Sequence, residues 1–145
     1  MSYRIVVGVD GSETSTLALN WAVEEARVRD ADVTALFAWE FPMIGIPGAF
    51  EREQLEQQAK ALILHHVAAV AGDGEVRVEP VIANGDAGTS LVAACERSAA
   101  DLLVLGSRTR SGLSRAFLDG IVQQCIAEAP CPVLIVKDKA PAATA

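Results

Sequence analysis

The sequence predicts an α/β domain, an open parallel five-stranded sheet with four helices on its two faces. Strand-like and helix-like stretches alternate strictly along the chain, and each return to a parallel strand requires a right-handed crossover that lays a helix on the sheet. The strand-like runs are β-branched and continuous rather than alternating, as in strands buried on both faces. The chain has 145 residues, 51% hydrophobic and 21% charged, and a chain of this length buries roughly 70% of the surface its unfolded form exposes. One core therefore forms without disulfides or a metal. A helical bundle and a β-sandwich are excluded.

The first strand runs from Arg4 to Val9 and ends in Asp10-Gly11-Ser12. From Ser12 or Ser15 to about Arg29 the pattern is helical, with Leu17, Trp21 and Val28 at steps of four and seven and Ala18 and Ala22 beside them. Val33 to Trp39 is the second strand. Residues 40–50 carry two prolines and two glycines, which break regular structure, yet include Phe41, Met43, Ile44, Ile46 and Phe50. This apolar loop is expected to close over the crevice or meet a partner subunit. A helix from about Glu51 to Ala71 stops at Gly72-Asp73-Gly74. Val76 to Ile82 is the third strand, and Asn84-Gly85-Asp86 turns the chain so that Asp86 caps a helix to about Ser98. Asp101 to Leu105 is the fourth strand. A loop over 106–116 and a helix to about Ala129 follow, and Pro130-Cys131-Pro132 delivers the last strand, Val133 to Val136. Residues 1–137 make a single domain, and the Ala- and Pro-rich tail 138–145 is expected to be disordered.

Composition narrows the function. No apolar run reaches the roughly 18 residues of a membrane span, and the N-terminal apolar run is too short for a signal peptide, so no membrane partner and a cytoplasmic location are expected. Cys95, Cys125 and Cys131 show neither a CxxC spacing nor a His cluster, which indicates buried reduced thiols rather than a disulfide framework or zinc site. The net charge of -7 argues against nucleic acid as a partner, because neutralising phosphates supplies most non-specific affinity.

In open parallel sheets the ligand crevice lies beyond the carboxyl ends of the strands where the winding reverses. With five strands that point falls between the first and fourth, at Gly8 to Ser12 and Gly106 to Thr109. Residues 106–115 contain Arg108, Arg110 and Arg115 and no acid, which suits an anion held by guanidinium forks and a helix N-terminus. A solvated loop whose arginines pair with acids elsewhere is the alternative. Asp10 suits a hydrogen bond from a purine amine or a ribose, or else turns the chain and caps the first helix. His65 and His66 have no ligand-spaced neighbours and read as surface or boundary residues. No serine stands in a nucleophile elbow, so acyl transfer has no support and no catalytic residue is assigned.

VVGVDGS at 6–12, NGD at 84–86, LLVLGSRTRSGLSR at 102–115 and APCPVLIV at 129–136 together resemble the universal stress protein family over the whole chain. The resemblance implies a Rossmann-like fold of the adenine nucleotide alpha hydrolase kind. It also implies a cytoplasmic homodimer paired through Val133, Leu134, Ile135 and Val136, and a non-enzymatic stress or regulatory role. Many members of that family bind ATP through a Gly, two residues, a Gly, nine residues and then Gly-Ser or Gly-Thr. Here Gly106 fits the first position, but Thr109, Asp119 and Gly120 occupy the next three. On the adenine side Asp10 matches, Gly8 and Val9 leave the approach open, Ala38 stands where a small residue packs on the base, and Ile121 follows the motif. Thr109 resists the positive φ a glycine would adopt. The Asp119 carboxylate would stand where phosphates should lie, at a cost on the order of 4 kcal/mol per unit of like charge at about 4 Å, which Arg108, Arg110 and Arg115 offset in part. The expected site is therefore a weak or altered one for adenine nucleotide, ATP or AMP, with no certain cofactor and no metal. The other readings are a ligand-free dimeric interaction protein, a true ATP binder in which the arginines compensate for Asp119, and a flavin carrier. The flavin reading lacks both the hydroxyl-rich phosphate loop and paired aromatics.

Overall fold

Nine elements succeed one another as strand and helix: β1 (Arg4–Gly8), α1 (Glu13–Arg29), β2 (Asp32–Trp39), α2 (Ala49–Ala71), β3 (Val78–Asn84), α3 (Ala87–Ser98), β4 (Leu102–Gly106), α4 (Gly120–Glu128) and β5 (Val133–Val136). The structure is a computed structural model and describes residues 2–39, 48–71, 74–107 and 120–137. Residues 40–47 of the expected 40–50 loop, most of the arginine loop and the 138–145 tail lie outside the described residues. The five strands pair in the order β3-β2-β1-β4-β5, every pair parallel. The winding reverses between β1 and β4, where the sequence places it.

Alternate residues of each strand enter opposite layers. Ile5, Val7, Val33, Ala35 and Val104 pack beneath α1 and α2 with Leu19, Val23, Ile63 and Val67. Val6, Leu36, Leu103 and Leu105 pack beneath α3 and α4 with Leu91, Cys95, Val122 and Cys125. The continuous apolar runs of the central strands β1 and β4 arise from this double burial.

Several local expectations are corrected. The core stripe of α1 is Ala18, Leu19, Ala22, Val23 and Ala26, whereas Leu17 is 36% and Val28 83% exposed. Alanines win because their small side chains let the helix backbone approach a sheet already filled by valines and isoleucines. Pairing of β3 starts at Val78 and continues to Asn84, so Val76 is a buried core residue before the strand rather than its first member. Helix α2 starts at Ala49, taking two residues from the expected loop.

Backbone polarity distinguishes the two edges. The carbonyls of Pro132 and Val136 accept from Leu103 N (3.0 Å) in β4 and from Ser107 N (2.9 Å) just after it, and alternation turns the N–H and C=O groups of Val133 and Ile135 to the free edge. On the other side Arg77 O accepts from Val33 N at 2.9 Å, so Val78, Pro80 and Ile82 face outward from β3. Pro80 thus gives up no ladder bond, and it removes a donor from that edge.

Candidate functional site

The β1–α1 turn is built to present its backbone at the top of the sheet. Gly11 takes φ 82°, a conformation that costs glycine little. Asp10 Oδ1 accepts from Ser12 N at 2.8 Å, and Ser15 Oγ accepts from Asp10 N at 3.3 Å. Ser12 caps α1, its Oγ accepting from Ser15 N at 3.2 Å. The open alternative for Asp10 is thereby resolved in part: it turns the chain, while Ser12 does the capping.

Beyond the carboxyl ends of β1 and β4 this turn borders a cleft on the α3 and α4 face. Gly8, Val9 and Asp10 meet Leu36 and Ala38 from β2 and Leu105 and Gly106 from β4. Ser15, Ala87, Leu91, Ile121 and Val122 complete the lining. Six of the expected site residues, Gly8, Val9, Asp10, Ala38, Gly106 and Ile121, therefore converge. Gly120 opens α4 beside them. Arg108, Thr109 and Asp119 lie outside the described residues.

The two glycines of the strands sit against different neighbours, leucine methyls at Gly8 and main chain at Gly106. A Cβ on Gly8 would stand 2.9 Å from Leu105 Cδ2 and 3.4 Å from both Leu91 methyls, so the leucines form the cleft floor only because position 8 has no side chain. At Gly106 a Cβ would lie 2.6 Å from the Thr14 carbonyl carbon and 2.8 Å from Ser15 N. The first turn of α1 rests directly on that glycine. For Gly120, a Cβ meets no described atom within 4 Å.

Around the cleft the polar groups are already engaged in holding helix ends. Asp86 caps α3, with Oδ2 accepting from Thr89 N at 2.9 Å and from Thr89 Oγ1 at 2.8 Å. These two hydrogen bonds hold its carboxyl below the usual value, the backbone bond contributing most. The α3 N-terminus is thus supplied with its own anion. His66 lies on the other face, its Nε2 3.0 Å from Thr16 Oγ1. Because that hydroxyl donates to Ser12 O at 3.1 Å, the imidazole Nε2–H is the donor. Pattern reading places both histidines at the boundary and misses this tie between α2 and α1. Among the described residues no group of three His, Cys, Asp or Glu is placed to hold a metal, and no helix is long and apolar enough to cross a membrane.

An apolar floor with a carboxylate and main-chain groups on its rim suits a flat heterocycle carrying hydrogen-bonding edges. The cleft residues missed by pattern reading, Ser15, Leu36, Ala87, Leu91, Leu105 and Val122, carry no polar signature except Ser15. Strand register, with Gly8 opposite Leu36, and the packing of α1, α3 and α4 on the sheet bring them in.

Comparison with known proteins agrees with this architecture. The family model described as Universal stress protein family matches residues 1–137. A universal stress protein, MJ0531, of Methanocaldococcus jannaschii is 32% identical over 139 residues, covering 92% of this chain and 81% of the relative. Among solved structures, the protein MJ0577 superposes with a TM-score of 0.79 at 22% identity, covering 97% of this chain and 99% of that one. A universal stress protein family protein from Arabidopsis thaliana, solved with AMP bound, gives a TM-score of 0.64 at 21% identity, covering 97% of both chains. With the sheet order, the cleft and a match spanning the whole domain in agreement, the chain belongs to the universal stress protein family.

Proposed function

We propose that this chain is a non-enzymatic stress-response module whose cleft holds the adenosine end of a nucleotide and prefers a monophosphate to ATP. The observation that carries this reading is the convergence of Gly8, Val9, Asp10, Ala38 and Ile121 around one apolar cleft, while the motif departures cluster at 109, 119 and 120. The Arabidopsis relative bound to AMP supports the ligand class. In sequence Asp119 immediately precedes Gly120, and a carboxylate near a helix N-terminus favours the dipole as a phosphate does. Like charge at about 4 Å costs on the order of 4 kcal/mol per unit before screening, so each added phosphate meets a steeper penalty. Arg108, Arg110 and Arg115 compensate for one phosphate more readily than for three. The serines of the β1–α1 turn are committed to its hydrogen bonds, which supports a binding role rather than nucleophilic chemistry.

Titration calorimetry of the full chain with AMP and ATP tests the proposal. Wild type should bind AMP more tightly, and Asp119→Gly should gain ATP affinity by about tenfold or more, screening reducing the bare charge term. Tighter binding of ATP than AMP by wild type would refute the preference, and absence of binding to either would leave the cleft without its proposed ligand.

The same module is proposed to act as a cytoplasmic homodimer through β5. Val133 and Ile135 turn main-chain groups that pair with no other strand among the described residues to that edge, where two copies can pair antiparallel about a two-fold axis. The opposite edge is blunted by Pro80.

A further inference from the structure

Asn84 and Gly85 end the edge strand β3 and lead into the Asp86 cap of α3. Asn84 is exposed and shares a face of its strand with Val78 and Ile82, which pack into the α1 and α2 layer. From that face its Nδ2 donates to Glu56 Oε1 on α2 at 2.8 Å. Gly85 takes φ 124°, a conformation that favours glycine, and a Cβ there would meet nothing within 4 Å beyond its chain neighbours. The peptide nitrogen that follows Asn84 therefore carries no side chain to shield it. The chain's other asparagine, Asn20, is held inside α1 and is followed by Trp21.

We infer that Asn84-Gly85 is a site of spontaneous deamidation in the folded chain, a reaction with water that turns the tie between β3 and α2 into a repulsion. The Gly85 nitrogen gives its proton to hydroxide and attacks Asn84 Cγ. An N–C bond forms to close a cyclic imide, the Cγ–Nδ2 bond breaks, and ammonia leaves with a proton from water. Water then adds to an imide carbonyl. Opening at Cγ breaks the new bond and leaves aspartate at position 84, whereas opening at the main-chain carbonyl leaves isoaspartate, with the chain running through the former side chain. No electrons are transferred, and in sum water is consumed and ammonia released. Glu56 sets the rate, because attack needs the reacting atoms about 3–3.5 Å apart and aligned, and the hydrogen bond to α2 restrains the amide against that rotation. Either product puts a carboxylate opposite Glu56 where an amide donated, and like charges repel. Isoaspartate also adds a carbon to the main chain just before Asp86, whose Oδ2 accepts from Thr89 N at 2.9 Å. The modification thus loosens the first turn of α3, whose Ala87 lines the cleft, whatever ligand the cleft takes.

The test incubates the folded full-length chain for days at physiological pH and temperature and maps its peptides by mass spectrometry, with isoaspartate read by an isoaspartyl methyltransferase. Progressive conversion of amide to acid at Asn84, with Asn20 unchanged, is the expected result. Glu56→Ala should speed the conversion by about fivefold, the factor that a hydrogen bond of ordinary net strength carries. Asn84→Gln, whose amide would have to close a larger ring, should stop it. In the converted wild type, the N–H groups of Thr89 and Ser90, which Asp86 holds at 2.9 Å in each case, should exchange with solvent faster than in fresh protein. An Asn84 that stays intact in the folded chain, while the chain in guanidinium chloride converts, would overturn the inference. An unchanged rate in Glu56→Ala would remove Glu56 as the restraint, and unchanged exchange after conversion would refute the loosening of α3. The wild-type map and its exchange decide the matter even if a variant fails to fold.

Discussion

Gly106 and Gly120 stand at the two ends of one nucleotide-binding pattern and answer to different constraints. At 106 the glycine is demanded by the first turn of α1, whose backbone would lie within 2.8 Å of a Cβ, and it would be demanded with or without a ligand. Gly106→Ala should therefore lower the free energy of unfolding by about 1–3 kcal/mol, read by urea denaturation of the ligand-free chain. Gly120→Ser meets no described atom and should change stability by no more than about 0.5 kcal/mol, while placing a hydroxyl at the start of α4. Retention of the first glycine of the pattern consequently says little about phosphate binding. Asp86 gives a second measurable consequence. Its native carboxyl titrates below the usual value because Thr89 donates to the charged form, so its contribution is complete above the unfolded-state value of about 3.9 and disappears as pH falls through the native one. Asp86→Ala should cost about 1 kcal/mol at neutral pH, and the gap between variant and wild type should close on acidification below pH ~4. A gap that persists into strong acid would assign the loss to packing instead.

The start of helix α3 and that of strand β5 were legible because strong punctuation bounds them: Asp86 as cap, and Pro132 before Val133. Helix α1 was legible as a helix but not by face. Leucine and tryptophan at steps of four look like a core stripe, yet what decides the orientation is the room left above the sheet, and that favours the alanine track. Among the described residues of α2 the buried ones are Ala59, Ile63 and Val67, one turn apart, with Leu62 71% and Leu64 47% exposed. Nothing in a run this rich in apolar residues marks which leucines will be left outside. For β5 the argument runs through the main chain. Val133→Pro replaces an outward N–H at the first position of the strand, where proline is tolerated, and in a two-fold pair it deletes two hydrogen bonds worth about 1 kcal/mol each. The proposed dimer should weaken by roughly 30-fold, measured by sedimentation equilibrium, with the monomer still folded. An unchanged association constant would move the interface away from this edge.

Alternation and handedness placed the reversal of winding between the first and fourth strands, where the sheet has it, and so located the cleft before any motif was considered. What the chain pattern could not supply is the cleft's floor. Leu36, Leu91 and Leu105 look like any other core residues, and they become lining only because Gly8 leaves a notch among them. Asp10 was ambiguous for the opposite reason: Asp-Gly-Ser serves equally as a turn and as a ligand handle, and only the bond to Ser12 N separates the two uses. The asymmetry of the edges carries further than the choice of interface. A sheet with one edge able to pair has a valence of one. Two copies joined about a two-fold axis exhaust each other's capacity, and Pro80 denies the far side of β3 the uninterrupted donors that another strand would need. The proposed assembly would close at two chains, so that a continuous, strongly apolar sheet could dimerise without propagating into a fibril.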